Sequence, residues 1–219
     1  MKKILLVCAA VVSGLTVFND KAEAFGFGHD VATAHQASLV LVVNDSGGEK
    51  AKATIDTMGQ RAIEFLSNPS LSQSQKEKQF RSLLGDYFDM PTIGRFTLGK
   101  NWKDATEAQR AEYQKLFENL VVRIYAARFN DYKGQGFNVD SCRDAGTKDM
   151  LVTSYITPDQ GSKIKVDWRV RDKNGNGQYK VIDVIIEGVS MSQTQRADFS
   201  SVISRGGGKM EALLEHLRK

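Results

Sequence analysis

The sequence predicts an α+β domain in which several helices pack against one twisted antiparallel sheet. Apolar residues recur with the helical period of 3.6 up to about residue 134 and again after about residue 192, whereas the region between them alternates with the period of a strand. The connections between the predicted strands are rich in Gly, Asn, Asp and Pro, and two of them are short, which favours an antiparallel meander. The 219 residues are 41% hydrophobic and 26% charged, a composition that excludes low-complexity and collagen-like chains.

The first 24 residues have the pattern of an export signal. Lys2 and Lys3 precede a 15-residue apolar run at 4–18, and the AEA at 22–24 is a typical cleavage site. The run is shorter than the roughly 20 residues that cross a bilayer as a helix, and a retained amino-terminal anchor is the alternative. Cleavage would remove 24 of 219 residues and leave 195. It would lower the formal net charge from +4 to +3, because the leader carries three lysines and two acidic residues.

Residues 25–53 form an amino-terminal segment whose role the pattern does not define. The apolar run at 37–43 predicts a short helix, and the NDSGGEK that follows predicts a break. We therefore place a single main domain at 54–219.

Three helices are predicted between residue 54 and the sheet. Ser72 with Gln75, and Thr106 with Gln109, form the capping boxes that open the second and the third of them. The third helix has the longest apolar stripe and would reach roughly 40 Å at 1.5 Å per residue. The predicted helices lie at 54–68, 72–89 and 106–133.

Four strands and two further helices follow. Ser192 with Gln195 is predicted to cap the first of these helices, and the glycines at 206–208 end it before a last helix that contains Met210. The last strand, VIDVIIEGV, is apolar on both faces, so both faces need cover. One cover is the helical layer, and the other is either more protein or a ligand-filled cavity. The predicted strands lie near 137–142, 150–157, 163–171 and 178–189.

Outside the leader, residues that usually carry catalysis or metal binding are sparse. Cys142 is the only cysteine left, so no internal disulfide can form, and a lone cysteine is typical of a small buried hydrophobe. The histidines lack the spacing of a metal or catalytic pair, and basic residues are interleaved with acids, which disfavours nucleic-acid binding. Residues 172–177 resemble half of a calcium loop but lie between strands, which indicates a hairpin turn. We expect no metal and no cofactor.

Asp183 and Glu187 are two carboxylates in an otherwise apolar strand. A strict period of two places them on one face, where they need partners, and Arg95, Arg123 and Arg169 are the candidates. We predict a structural ion pair of Arg95 with Asp183 or Glu187. The alternative is a general base in an enzyme pocket.

Two sequence blocks resemble the MlaC family, also called the toluene-tolerance family of periplasmic lipid-binding proteins. The first is FDMPTIGRFTLGKNWKDATEAQRAEYQKLFENLVVRIYAARFNDYKG at 88–134, and the second is YKVIDVIIEGVSMSQTQRADF at 179–199. The strings IGRFTLGKNW and EGVSM are the most specific, and the resemblance covers about 54–217.

The resemblance implies a nuclear-transport-factor-like cone with an apolar cavity that holds the acyl chains of a phospholipid and leaves the headgroup exposed. It implies a monomeric, non-enzymatic periplasmic carrier that exchanges lipid with an outer-membrane lipoprotein complex and an inner-membrane MCE-domain ABC transporter. The alternatives are a hopanoid-associated lipid-binding protein, an enzyme that uses Asp183 or Glu187 as base, and an interaction module whose cavity is filled by side chains. We assign tail contact to apolar residues of these blocks and of the strands between them: Phe88, Ile93, Phe96, Leu98, Trp102, Phe117, Val121, Tyr125, Val152, Trp168, Val184, Ile186 and Val189.

Overall fold

The computed structural model describes residues 46–219, so the predicted leader and the predicted helix at 37–43 lie outside the described residues. Within this range seven helices and five strands follow one another, and the predicted α+β class is confirmed. A 3-10 turn at Phe129–Asp131 precedes the sheet. The helices are α1 (Ser46–Ser67), α2 (Gln73–Tyr87), α3 (Met90–Leu98), α4 (Asn101–Asp104), α5 (Glu107–Ala126), α6 (Met191–Arg205) and α7 (Met210–Arg218). The strands are β1 (Gly136–Asp144), β2 (Asp149–Thr157), β3 (Ile164–Asp172), β4 (Tyr179–Ile186) and β5 (Val189–Ser190).

Both predicted capping boxes are present. The Ser72 hydroxyl accepts a hydrogen bond from the Gln75 backbone N–H at 3.3 Å, and the Gln75 side chain accepts one from the Ser72 N–H at 2.8 Å. Thr106 and Gln109 make the same reciprocal pair at the start of α5. Each box satisfies two backbone donors that a helix start leaves unpaired. This local chemistry explains why these two helix starts could be predicted from the sequence.

Two helix ends differ from the prediction. α1 begins at Ser46, eight residues before the predicted start, because Ala51 and Ile55 are fully buried and their packing outweighs the low helix propensity of the glycines before them. α5 ends at Ala126 rather than near 133, so its length is about 30 Å. The apolar stripe continues past the helix because the 3-10 turn keeps Phe129 in the same core.

α3 and α4 were not predicted. α2 ends where Phe88 becomes extended and pairs with Val181 of β4, and the Asp89 N–H donates to the Val181 carbonyl at 3.0 Å. Asp89 then caps α3 by accepting from the Thr92 N–H at 3.0 Å. This junction joins the helical layer to the sheet.

The sheet is an antiparallel meander in the order β1-β2-β3-β4-β5, as predicted. The pairing of β3 with β4 contains a bulge, because Val170 is opposite Val181 whereas Arg169 is opposite Asp183. Ile182 is therefore an extra residue on β4. The bulge pairs Val184 with Trp168, on the same face of the sheet as Val181. It pairs Asp183 with Arg169, which alternates with Trp168 along β3. The strict period of two is therefore wrong beyond Val181.

The last predicted strand ends earlier than residue 189. Glu187 and Gly188 have φ values of 49° and 83° and form a two-residue turn between β4 and β5, since a tight hairpin of this kind needs positive φ at both central positions. β5 leads directly into α6, so the N-cap is Ser190, whose hydroxyl accepts from the Gln193 N–H at 3.1 Å. The predicted cap at Ser192 is wrong by two residues.

Buried side chains form two clusters. One joins α3, α5, α6 and α7 around Tyr113, and the other joins α1, α2 and the 3-10 turn to the sheet around Val152 and Val170. Within residues 46–219, no helix combines the length and the apolarity needed to cross a bilayer. The boundary between the two clusters is where the candidate site lies.

Candidate functional site: an apolar cavity

A cavity lies between the helices α1, α2 and α5 and one face of the sheet. Its volume is about 320 Å³, at the lower end of the roughly 300–1,000 Å³ of ligand pockets. Most of its wall is aliphatic or aromatic. The helical wall comprises Met58, Gly59, Ala62, Ile63, Phe65, Leu66, Phe80, Leu83, Leu84, Phe117, Val121, Ile124 and Tyr125. The sheet wall comprises Phe137, Ile156, Val166, Trp168, Val184 and Ile186.

Eight of the residues assigned to tail contact line this cavity. They come from the α2–α3 junction, from α3, from α5 and from the inward register of β3 and β4. The bulge at Ile182 explains why Val184 and Ile186 are among them, since it brings both to the face of Trp168. The eight are Phe88, Ile93, Phe117, Val121, Tyr125, Trp168, Val184 and Ile186. Their contact with lipid stays a prediction.

Five of the assigned residues lie elsewhere, which corrects the prediction. Leu98 and Val152 are fully buried in the protein core. Phe96 is 41% exposed because Ile93 and Thr97 occupy the inner side of α3, and Val189 is 48% exposed because it follows the Glu187–Gly188 turn. Trp102 lies on α4, outside the cavity, under the guanidinium of Arg110.

The wall contributed by α1 was missed. Met58, Ala62 and Leu66 repeat at helical spacing and mark one apolar face in the sequence, but the tail-contact assignment was confined to residues from 88 onward. Gly59 lies on the same wall, and its lack of a side chain lets the ring of Phe137 approach α1. The spacing could have found the face, although not the partner against which it packs.

The polar groups of the wall are few. Thr97 lines the wall and pairs its hydroxyl, at 2.8 Å, with that of Tyr113, which lies behind the wall. Burial raises the pKa of the Tyr113 phenol far above its ordinary range, so it stays protonated. Arg128 and Gln135 line the wall beside the 3-10 turn, and Ser192 and Gln195 line it at the start of α6. The wall as a whole suits an apolar ligand.

Asp183 also reaches the cavity wall, where it stabilises the start of α6. Its carboxylate accepts from the Ser190 hydroxyl at 2.6 Å, from the Ser192 N–H at 3.0 Å and from the Val184 N–H at 2.9 Å. A carboxylate beside the first N–H groups of a helix also interacts favourably with the helix dipole. The geometry therefore gives Asp183 a structural role as a helix cap.

The predicted ion pair is wrong for the described residues. Glu187 accepts from the backbone N–H of Lys165, and Arg95 is exposed on the outer side of α3. Neither Asp183 nor Glu187 forms an ion pair with Arg95, Arg123 or Arg169 within residues 46–219. The sequence carried no signal for this, because the bulge and the turn both intervene.

Arg169 instead belongs to a cluster around Asp149. The Asp149 carboxylate accepts from Arg171 at 2.6 Å and from Arg169 at 3.4 Å. Burial alone would raise the pKa of Asp149, but the hydrogen bonds and charges of Arg171 and Arg169 outweigh burial and lower it.

Within the described part of the chain, no group of three or more His, Cys, Asp or Glu side chains could hold a metal ion.

The fold and the cavity define an α+β domain that encloses an apolar cavity between its helices and an antiparallel meander. The chain belongs to the MlaC protein family, whose family model matches residues 56–219.

Several curated proteins and solved structures resemble the chain. The toluene tolerance protein ttg2D of Pseudomonas putida is 22% identical over 153 residues, which cover 69% of this chain and 68% of the relative. The intermembrane phospholipid transport system binding protein MlaC of Haemophilus influenzae is 23% identical over 159 residues, which cover 68% of this chain and 74% of the relative. A phospholipid-binding protein from Ralstonia solanacearum, solved in complex with a phospholipid, superposes with a TM-score of 0.65 at 25% identity and covers 77% of this chain and 94% of its own.

Proposed function

We propose that this protein is a phospholipid carrier whose cavity holds the acyl chains. The observation that carries the proposal is the apolar cavity between α1, α2, α5 and the sheet. The Ralstonia neighbour of the same fold was solved with a phospholipid, and the Haemophilus relative is named as a binding protein of phospholipid transport. Both support the same ligand class for this chain.

The free energy of transfer explains why a carrier needs such a cavity. Burying acyl chain contributes about 0.8 kcal/mol per CH₂, so moving a lipid with roughly 30 such groups through water costs about 24 kcal/mol. An apolar wall lowers that cost by replacing water around the chains. No bond has to be made or broken, so the proposal requires no catalytic group and no cofactor.

We propose further that the carrier is a periplasmic monomer that exchanges lipid with an outer-membrane lipoprotein complex and an inner-membrane MCE-domain ABC transporter. Export is supported by the leader pattern of the first 24 residues. The exchange partners are supported by membership of the MlaC family. A non-enzymatic role is supported by Asp183, whose carboxylate is already hydrogen-bonded to three donors and caps α6.

The ligand is identified by extracting the protein, purified from its native compartment, with organic solvent and analysing the extract by mass spectrometry. We expect phospholipid in stoichiometric amount. A hopanoid instead of a phospholipid would correct the proposed lipid class but would still support a carrier function. Protein that is folded but free of lipid would contradict the carrier and favour a module whose cavity is filled by side chains.

A further inference from the structure

A second, shallower groove lies on the outer side of α3 and α4, where α6 packs against them. Two aromatic and four basic side chains dominate its lining. We call it the basic groove. Its side chains are Arg95, Phe96, Lys100, Trp102, Lys103 and Arg196. α3 separates it from the cavity, since Ile93 and Thr97 of the same helix face inward.

Gly99 shapes the groove. It ends α3 with φ of 60°, and a Cβ built on it would lie 2.6 Å from Nε of Arg196. Without that Cβ, Arg196 crosses the end of α3 and places its guanidinium 5.4 Å from the centroid of the Phe96 ring. An exposed aromatic ring thus has a cation over its face.

Trp102 also has an arginine over its ring, and it is partly buried against the core cluster around Tyr113. Arg110 lies 5.4 Å from the Trp102 ring and donates to the carbonyls of Trp102 and Lys103 at 2.8 and 3.1 Å. These bonds fix the single turn of α4, so the position of the aromatic ring does not depend on a partner. The groove is therefore formed in advance.

The charge of the groove is one-sided. The whole chain has 30 basic and 26 acidic residues, yet no carboxylate lines the groove. Within residues 46–219, none of Arg95, Lys100, Lys103 and Arg196 makes an ion pair, whereas Arg61, which lies elsewhere on the surface, does. Four cations without carboxylate partners beside an exposed ring are complementary to an anionic surface with an apolar interior.

We propose that the basic groove docks on an anionic lipid membrane. Lysine and arginine near such a surface each strengthen binding about fivefold, and aromatic rings settle at the level of the headgroups. A specific protein interface buries about 800 Å² per partner over 20–30 residues, which is far more than this groove offers. The groove is formed by one short segment of chain, residues 92–103, and by one residue of α6. A surface of this size suits a membrane contact.

The test is co-sedimentation with vesicles of residues 25–219, the chain without its predicted apolar leader. It is read as bound protein and not as lipid transfer, so that a failure here leaves the cavity proposal standing. We expect binding to phosphatidylcholine vesicles that contain phosphatidylglycerol, little binding to phosphatidylcholine alone, and weaker binding as salt rises. Lys100→Gln with Arg196→Gln should lower the partition coefficient about 30-fold.

Matched variants separate the groove from general charge. Lys148→Gln with Lys163→Gln removes two exposed cations in turns of the sheet and should have a much smaller effect. Equal losses in the two double variants would overturn the proposal, because the attraction would then depend only on net charge. Phe96→Ser should weaken binding more than Val189→Ser, which removes another exposed apolar side chain. Groove variants that bind like the unchanged protein would also overturn it and leave an acidic protein as the remaining occupant.

Discussion

Gly59 lies in the middle of α1, against the ring of Phe137. A Cβ built on Gly59 would lie 2.3 Å from Cε1 and 2.4 Å from Cδ1 of that ring. The ring also makes an edge contact with Trp168, with 6.4 Å between centroids. Because all three residues line the cavity, Gly59→Ala must move either α1 or Phe137.

The magnitude follows from two opposing contributions. Alanine stabilises a helix interior by about 0.5–1 kcal/mol relative to glycine, whereas overpacking costs about 1–3 kcal/mol. We expect Gly59→Ala to lower the free energy of unfolding by roughly 0–2.5 kcal/mol. Gly85 in α2 provides the matched control, because a Cβ there would meet nothing within 4 Å. Gly85→Ala should therefore stabilise the protein by up to about 1 kcal/mol.

The assay is urea unfolding followed by circular dichroism, with the slope of the transition checked for constancy. Gly59→Ala combined with Phe137→Leu should recover part of the loss, which a double-mutant cycle measures as a favourable coupling. Equal shifts for Gly59→Ala and Gly85→Ala, or a zero coupling with Phe137→Leu, would refute the close approach of α1 to β1.

Three further predictions concern the cavity, the cluster around Asp149 and the N-cap of α2. Val184→Trp should reduce co-purifying lipid, measured by mass spectrometry, whereas Val189→Trp on the exposed β5 should not; equal stoichiometry in both would contradict the cavity assignment. Because the arginines lower the pKa of Asp149, its contribution to stability is present above its unfolded pKa and is lost as pH falls through the folded value. Asp149→Asn should thus flatten the acid limb of stability against pH, and an unchanged limb would count against the cluster. Ser72→Ala should cost about 1 kcal/mol in urea unfolding, and the exposed Ser74→Ala should cost far less; similar costs would argue against the capping box.

Local signals predicted the starts of α2 and α5, whereas non-local packing decided the starts of α1 and α6. The capping boxes at Ser72 and Thr106 are complete within four residues, so the sequence contains all of their chemistry. Ser190 and Ser192 each have a glutamine three residues later, and the choice between them depends on the turn at Glu187.

The cavity was predicted in part for a related reason. Alternation identifies which strand residues face the helices, but it does not distinguish a side chain that is covered by protein from one that is left facing open space. Val152 and Val184 both pair with Trp168 and lie on the same face of the sheet, yet Val152 is fully buried in the core and Val184 lines the cavity. The difference is set by what α1 and α2 place opposite each of them.

The order of elements along the chain has a consequence for how the protein is made. α1 forms one wall of the cavity and packs on β1, β2 and β4. About 110 residues separate the end of α1 from the start of β4, which corresponds to roughly 5–20 s of synthesis at 5–20 residues per second. β1 begins about 70 residues after the end of α1, so the apolar stripe of α1 has no strand to cover it at first, and it gains β1 and β2 before β4 has been made. Contacts of such long range slow folding, so the cavity is complete only after the carboxyl-terminal part of the chain has been made.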